Sequence, residues 1–339
     1  MTPSPVTAQR DSSLDFLKLL LVFLVVAGHI IERYSLGPEQ IIYRWIYLFH
    51  MPAFIFLSGM LSSVQLDAKS GRRLIATILL PLIAHQALLK GLDATLFDRA
   101  YELKPSLPYW ALWYLMSLLT WRLLLPLVCG SGYPLVVAIL VSLLAGFFKD
   151  FGYGWSVSRT FVFLPFFVAG HLYATRHGRT LPAFAAGRAV VAAALLMALL
   201  ATAWLTRDVA VKWLYGSFSY ARFADSQWEG VALRSLQLAA GAAGTLAVLK
   251  LAMSPPRLAA LGRYTMAIYI SHIYLVKIAQ ANKWFALLPQ HGFPTRFAMV
   301  IVCSLACVAI GIALGRLLPF IFDFSWLFRR RGQLTPANA

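Results

Sequence analysis

Leu14-Asp15-Phe16-Leu17-Lys18-Leu19-Leu20-Leu21-Val22-Phe23-Leu24-Val25-Val26-Ala27-Gly28-His29-Ile30-Ile31-Glu32-Arg33 is the stretch that decides the fold. It is apolar over the length a helix needs to cross a bilayer, about 20 residues. Yet it carries Asp15, Lys18 and His29. At about 100° per residue these three side chains fall within about 60° of one another, and Lys18 and His29 stand about 16 Å apart along the axis. One polar stripe therefore runs up a spanning helix. Charge inside a span is costly unless it faces protein or a water-filled cavity, so the stripe is a functional hypothesis. A plainer reading stands beside it: Asp15 and Lys18 form an intrahelical ion pair near the interface, and His29 hydrogen-bonds a neighbouring helix.

The whole chain has the same character. Of 339 residues 60% are hydrophobic and 13% charged, and the mean hydropathy is +0.71, whereas soluble domains are about 45–50% apolar and about 25% charged. A soluble fold and a disordered chain are excluded. Three cysteines, Cys129, Cys303 and Cys307, in or beside apolar runs make no disulfide framework. Ten apolar segments are expected to span, at 14–33, 43–63, 74–90, 109–128, 133–149, 158–175, 188–206, 230–253, 261–281 and 297–322. The fold class is all-α, a polytopic membrane protein with tails at 1–13 and 323–339 and one membrane domain at 14–322. No cleavable signal peptide is read, because Asp15 and Lys18 interrupt the first apolar run.

The net charge of +17 comes from 30 Lys and Arg against 13 Asp and Glu. These bases are scattered between apolar segments, which argues against nucleic acid and for topology, an anionic small ligand, or both. Alternate joints hold Lys69, Arg72 and Arg73, then Arg176, Arg179 and Arg188, then Lys250, Arg257 and Arg263, and finally Arg329, Arg330 and Arg331, almost without acids. The other joints are mixed. Both termini are therefore expected on the cytoplasmic side, and the basic joint at Lys69, Arg72 and Arg73 lies where a polyanionic ligand would arrive from that side.

Further polar residues fall inside other segments. His50 precedes Pro52 in the second, in the same half of the membrane as His29, so two histidines from adjacent antiparallel helices could meet. Neutral imidazole is the natural general base near neutral pH. Arg159 opens the sixth segment, either snorkelling outward or binding an oxyanion or a sugar hydroxyl. Trp110, Trp113 and Tyr114 form an aromatic belt or a platform for a sugar. His171 and His272 read as satisfied helix contacts. No phosphate loop, GxSxG elbow or HExxH pair occurs, and Cys303 and Cys307 lack companions, so no metal is expected.

These residues resemble the integral-membrane O-acyltransferases of acyltransferase family 3, closest to the fucose 4-O-acetylase-like branch. The matching pieces are Leu14 to Lys18 followed by ten residues and His29, and Phe49-His50-Met51-Pro52-Ala53-Phe54-Ile55-Phe56-Leu57-Ser58-Gly59. Trp113-Tyr114-Leu115, Arg159 with Phe163 to Gly170, and Leu261 to His272 follow in the expected order. The resemblance implies ten spanning helices, an acyl-CoA donor taken from the cytoplasm, and an acceptor hydroxyl on a glycan or lipid-linked sugar. It makes His29 the essential histidine and puts Lys18 in the basic place of the basic-x10-His motif. The family's Arg-x-x-Arg pair appears as Lys69-Ser70-Gly71-Arg72 with Arg73 beside it, which keeps the charge and loses one guanidinium.

The expected protein is thus a multi-pass enzyme of the bacterial cytoplasmic membrane that moves acetyl from acetyl-CoA to a glycan hydroxyl. His29, His50 and Arg159 are the expected catalytic residues, Lys18, Lys69, Arg72 and Arg73 bind the donor, and Trp110, Trp113 and Asp15 bind the acceptor. Direct transfer and an acyl-histidine relay are both open. The rival class is a transporter or flippase of a polar or lipid-linked solute that uses the same buried residues as a path.

Overall fold

The computed structural model describes residues 12–34, 37–181, 185–253 and 255–328. Arg329 to Arg331 and most of both tails lie outside the described residues. The helices in chain order are α1 (Ser12–Ile31), α2 (Glu39–Met60), α3 (Ala68–Leu74), α4 (Leu80–Phe97), α5 (Trp113–Gly130), α6 (Pro134–Leu144), α7 (Val157–His177), α8 (Ala186–Leu205), α9 (Gln227–Lys250), α10 (Pro256–Ala259), α11 (Thr265–Ala281) and α12 (Phe293–Leu317). A π-helical turn, Ile75–Leu79, joins α3 to α4. It ends just before Pro81, which has no N–H to give the carbonyl of Thr77, so the helical ladder must shift register there.

Each of the ten expected segments coincides with a helix, and among the described residues eight helices are long and apolar enough to cross a membrane. The two shorter ones are α6, which continues through a 3-10 turn to Phe147, and α11. Apolar side chains point outward on the peripheral helices: Leu205 of α8 is 76% exposed and Val302 of α12 64%. Such surfaces suit lipid rather than water.

α2 is the centre of the bundle, packed against α1, α7, α8 and α9. Its approach to α7 is set by two glycines. A Cβ at Gly59 would fall inside the carbonyl oxygen of Phe167, and one at Gly170 inside the carbonyl oxygen of Phe56. The two backbones therefore touch, as small residues permit between membrane helices. His171 adds a bond across the same crossing by donating from Nδ1 to the Ser62 carbonyl, 3.1 Å away. α9 reaches α2 in the same way, because a Cβ at Gly244 would collide with Phe49 and one at Gly241 would crowd Pro52.

Replacing Gly170 by Leu should force α2 and α7 apart, with overpacking costing about 1–3 kcal/mol or more. A fall of several degrees in the melting temperature of the detergent-purified protein is expected, with a broadened size-exclusion peak. An unchanged melting temperature would show that this crossing does not set the fold.

Candidate active site

Away from the glycine crossing, toward Glu39 and Arg159, α1, α2, the 107–113 segment and α7 enclose a cavity of about 400 Å³. His29, Glu32, Tyr47, His50, Trp110, Trp113 and Arg159 all line it. Gly28 lets the Tyr47 ring approach α1 beside His29.

His29 Nδ1 is 3.1 Å from Glu32 Oε2. An ionised carboxylate only accepts, so Nδ1 carries a proton, and in the neutral ring Nε2 holds the lone pair. The charges of Arg33 and Arg159 also act on the Glu32 carboxyl. Glu32 is therefore an anion that fixes the His29 tautomer. The His29 ring also lies 4.4 Å from the Trp110 ring and stacks on His272 at 5.4 Å, 14° from parallel. His272 is fully buried, and among the described residues neither of its ring nitrogens has a hydrogen-bond partner.

His50 is buried and donates from Nδ1 to the carbonyl of Ile46 at 2.7 Å. It shares the cavity with His29, but the group that bonds His29 is Glu32. Arg159 lies between the rings of Trp113 and Tyr153, 4.9 and 5.0 Å from its Cζ. It donates from Nε to the Tyr215 carbonyl at 3.2 Å and from Nη2 to Ser217 Oγ at 3.5 Å. It faces the cavity rather than lipid.

Trp110 is held at a backbone φ of 37°, a left-handed conformation that costs a bulky residue of order 1–3 kcal/mol. The turn before it is fastened from α4. Gln86 accepts from the Tyr109 N–H at 2.7 Å and donates to the Leu107 carbonyl at 2.9 Å. Tyr109 donates its hydroxyl to Asp93 at 2.6 Å, and Lys277 Nζ lies 3.6 Å from the same carboxylate.

A second cavity, about 530 Å³, opens at the other end of the bundle and is lined by Lys69, Arg73, Arg122 and Arg179 with Asp67 and Ser58. Asp67 accepts from the Ser70 N–H at 2.7 Å as the cap of α3, which holds its carboxyl below its ordinary value. Among the described residues, Arg122 Nε is buried with no hydrogen-bond partner. Four cations face one engaged carboxylate. Arg72 is exposed and does not line this cavity. Between the two cavities lies one aromatic layer: Tyr114 bonds Ser58 at 2.6 Å and packs on Phe54 at 5.3 Å and Tyr269 at 5.6 Å.

Asp15 and Lys18 form an ion pair at 2.6 Å and line neither cavity. Asp15 is about 21 Å from His29 along α1, with its backbone against Gly262. The structure thus separates Asp15 from Trp110 and Trp113. The residues that sequence reasoning left out are Glu32, Tyr47, Tyr153 and Tyr215 at the first cavity and Arg122 and Arg179 at the second. Only Glu32 had a signal, its position one turn after His29. Among the described residues no three His, Cys, Asp or Glu side chains gather as metal ligands.

A family model described as "Acyltransferase domain" matches residues 11–316. Two curated relatives, each called Nodulation protein NolL, come from Sinorhizobium fredii, 30% identical over 131 residues, and Mesorhizobium japonicum, 33% identical over 131 residues. Each match covers 32% of this chain and 34% of the relative, so the chain spans about a third of the length of the curated relatives it matches. No solved structure matches it.

Gln86→Ala should leave the buried Tyr109 N–H without its acceptor and the Leu107 carbonyl without this donor, a loss of about 1–3 kcal/mol. The strained Trp110 turn is expected to loosen, read as faster hydrogen exchange across residues 105–112 than in the rest of the chain. Unchanged exchange there would refute the fastening role of Gln86.

Proposed function

Since the chain belongs to the acyltransferase-domain family matched over residues 11–316, we propose that it is a membrane O-acetyltransferase. It takes acetyl from acetyl-CoA at the basic cavity and delivers it to a hydroxyl of a cell-surface or lipid-linked glycan at the His29 cavity. The observation that carries this reading is the Glu32-oriented His29 in one cavity with Arg159, while a cluster of four cations lines a second cavity that shares α2 and α5 with the first. No feature of these cavities favours the transporter reading.

The donor end suits coenzyme A. Its phosphates are anionic, and Arg122 Nε is a buried donor without a partner among the described residues, a group whose cost an incoming phosphate would offset. Lys69, Arg73 and Arg179 complete the cluster, and Lys18, paired with Asp15, stands on the same side of His29. In this reading that end faces the cytoplasm of a bacterium, in accord with the bases of the joints there, and the thioester arm passes the Tyr114 layer to His29.

At His29 the chemistry is acyl transfer. Nε2 accepts the proton of the acceptor hydroxyl as its oxygen attacks the thioester carbonyl. Arg159 stabilises the oxyanion that forms. The carbon–sulfur bond then breaks, the acetyl ester remains on the acceptor, and the imidazolium returns its proton to the departing CoA thiolate. Glu32 holds the imidazole in the required tautomer and stabilises its charged form. Trp110 and Trp113 present flat apolar faces on which a sugar ring can rest.

His29→Ala should abolish acetyl transfer from labelled acetyl-CoA at unchanged expression, and Glu32→Gln should lower kcat by about 10²-fold with the KM for acetyl-CoA preserved. Retained activity in His29→Ala would refute the catalytic assignment. Arg73→Ala and Arg122→Ala should each raise the KM for acetyl-CoA about tenfold, the loss of one charged hydrogen bond. An unchanged KM in both would remove the basic cavity from donor binding.

A further inference from the structure

A lipid-facing groove of about 880 Å³ lies between the first turns of α2 and the last turns of α8, next to the start of α12. Its walls include Ile41, Ile42, Met197, Leu200, Trp204 and Leu205. Met197 is 63% exposed and Leu205 76%, so both meet hydrocarbon in a bilayer. Arg207 and Asp208, 3.6 Å apart, close its end as a polar collar of the kind found at the membrane interface.

The groove does not stop at lipid. Gln40 lines it and also lines a smaller cavity of about 170 Å³ with Tyr43, Arg44, Tyr215 and Glu32. Glu32 and Tyr215 in turn line the His29 cavity. On α2, Gln40, Tyr43, Tyr47 and His50 follow one another at three- and four-residue steps, so they share one helix face. That face rises about 15 Å from groove to site. Tyr43 donates to the Tyr215 hydroxyl at 3.0 Å where the small cavity meets the large one.

The path therefore begins apolar and becomes lined with amide and hydroxyl groups toward His29. A water-soluble glycan needs no apolar approach, and a plain lipid tail needs no polar continuation. A molecule with both parts fits. We propose that this groove is the lateral entry for the acceptor, a lipid-anchored sugar whose chain lies between α2 and α8 while its hydroxyl reaches His29 past the Tyr43–Tyr215 pair. This inference rests on the acetyltransferase reading and selects the lipid-linked acceptor within it.

The test uses membranes holding the full-length wild type, Ala201→Trp or Leu200→Trp, supplied with radiolabelled acetyl-CoA and then partitioned between organic and aqueous phases. Both substitutions fill the groove far from His29. Organic-phase label is expected in the wild type and should fall at least tenfold in both variants, with the KM for acetyl-CoA and the size-exclusion profile unchanged. Wild-type label confined to the aqueous phase, or variants that label lipid at the wild-type rate, would overturn the lateral entry alone. Transfer to neither phase would overturn the acetyltransferase reading and this inference with it. A photocrosslinking benzophenone residue at position 200 covers variants that fail to fold. It should capture the labelled lipid well above the same probe at position 302 on the outer face of α12, and equal capture at both positions refutes the groove.

Discussion

Contact between the backbones of α2 and α7 is the constraint from which the rest of the architecture follows. Gly59 sits on the Phe167 carbonyl and Gly170 on the Phe56 carbonyl, a separation no larger residue allows. The His29 cavity lies beyond that contact, where α2 and α7 share its walls with α1 and the 107–113 segment. Pro52 and Pro165 stand between crossing and cavity, one in each helix. Each leaves a carbonyl one turn earlier without its helical donor.

The cavity sets polar groups in an apolar frame, and each is held by a specific partner. Glu32 engages His29, the 215–217 segment engages Arg159, and Gln86 with Asp93 fastens the turn that carries Trp110. Backbone strain gathers nearby. Trp110 lines the cavity at positive φ, and Trp155 and Ser156, also at positive φ, lead into α7 just before Arg159. Strain of this kind persists only where the surroundings over-determine it.

Much of the fold was legible because a bilayer-spanning helix advertises itself by length and hydropathy. The ten segments coincide with helices, although α6 and α11 are shorter than the expected spans. His29, His50, Trp110, Trp113 and Arg159 were legible for a related reason: polar or aromatic groups in apolar runs stand out, and these five line one cavity. Glu32 does not stand out, because it falls at the end of α1, where acids are ordinary. Arg179 belongs to a basic joint that also signals topology and Arg122 is a lone base in an apolar run, yet both line one cavity with Lys69 and Arg73. Arg72, adjacent to Arg73, points elsewhere, since neighbouring residues on a helix are about 100° apart.

By itself, the sequence determined that this is an all-helical membrane protein, that α1 carries a polar stripe, and that the chain resembles one family of acyltransferases. Those properties are local, written in composition, period and motif. Which stripe residues act together was decided by tertiary packing alone. Asp15 and Lys18 close on each other, whereas His29 meets Glu32, His272 and Trp110 from two further helical elements. The physical reason is that convergence depends on where helices cross, and the crossings are set by glycines whose partners lie more than a hundred residues away in the chain.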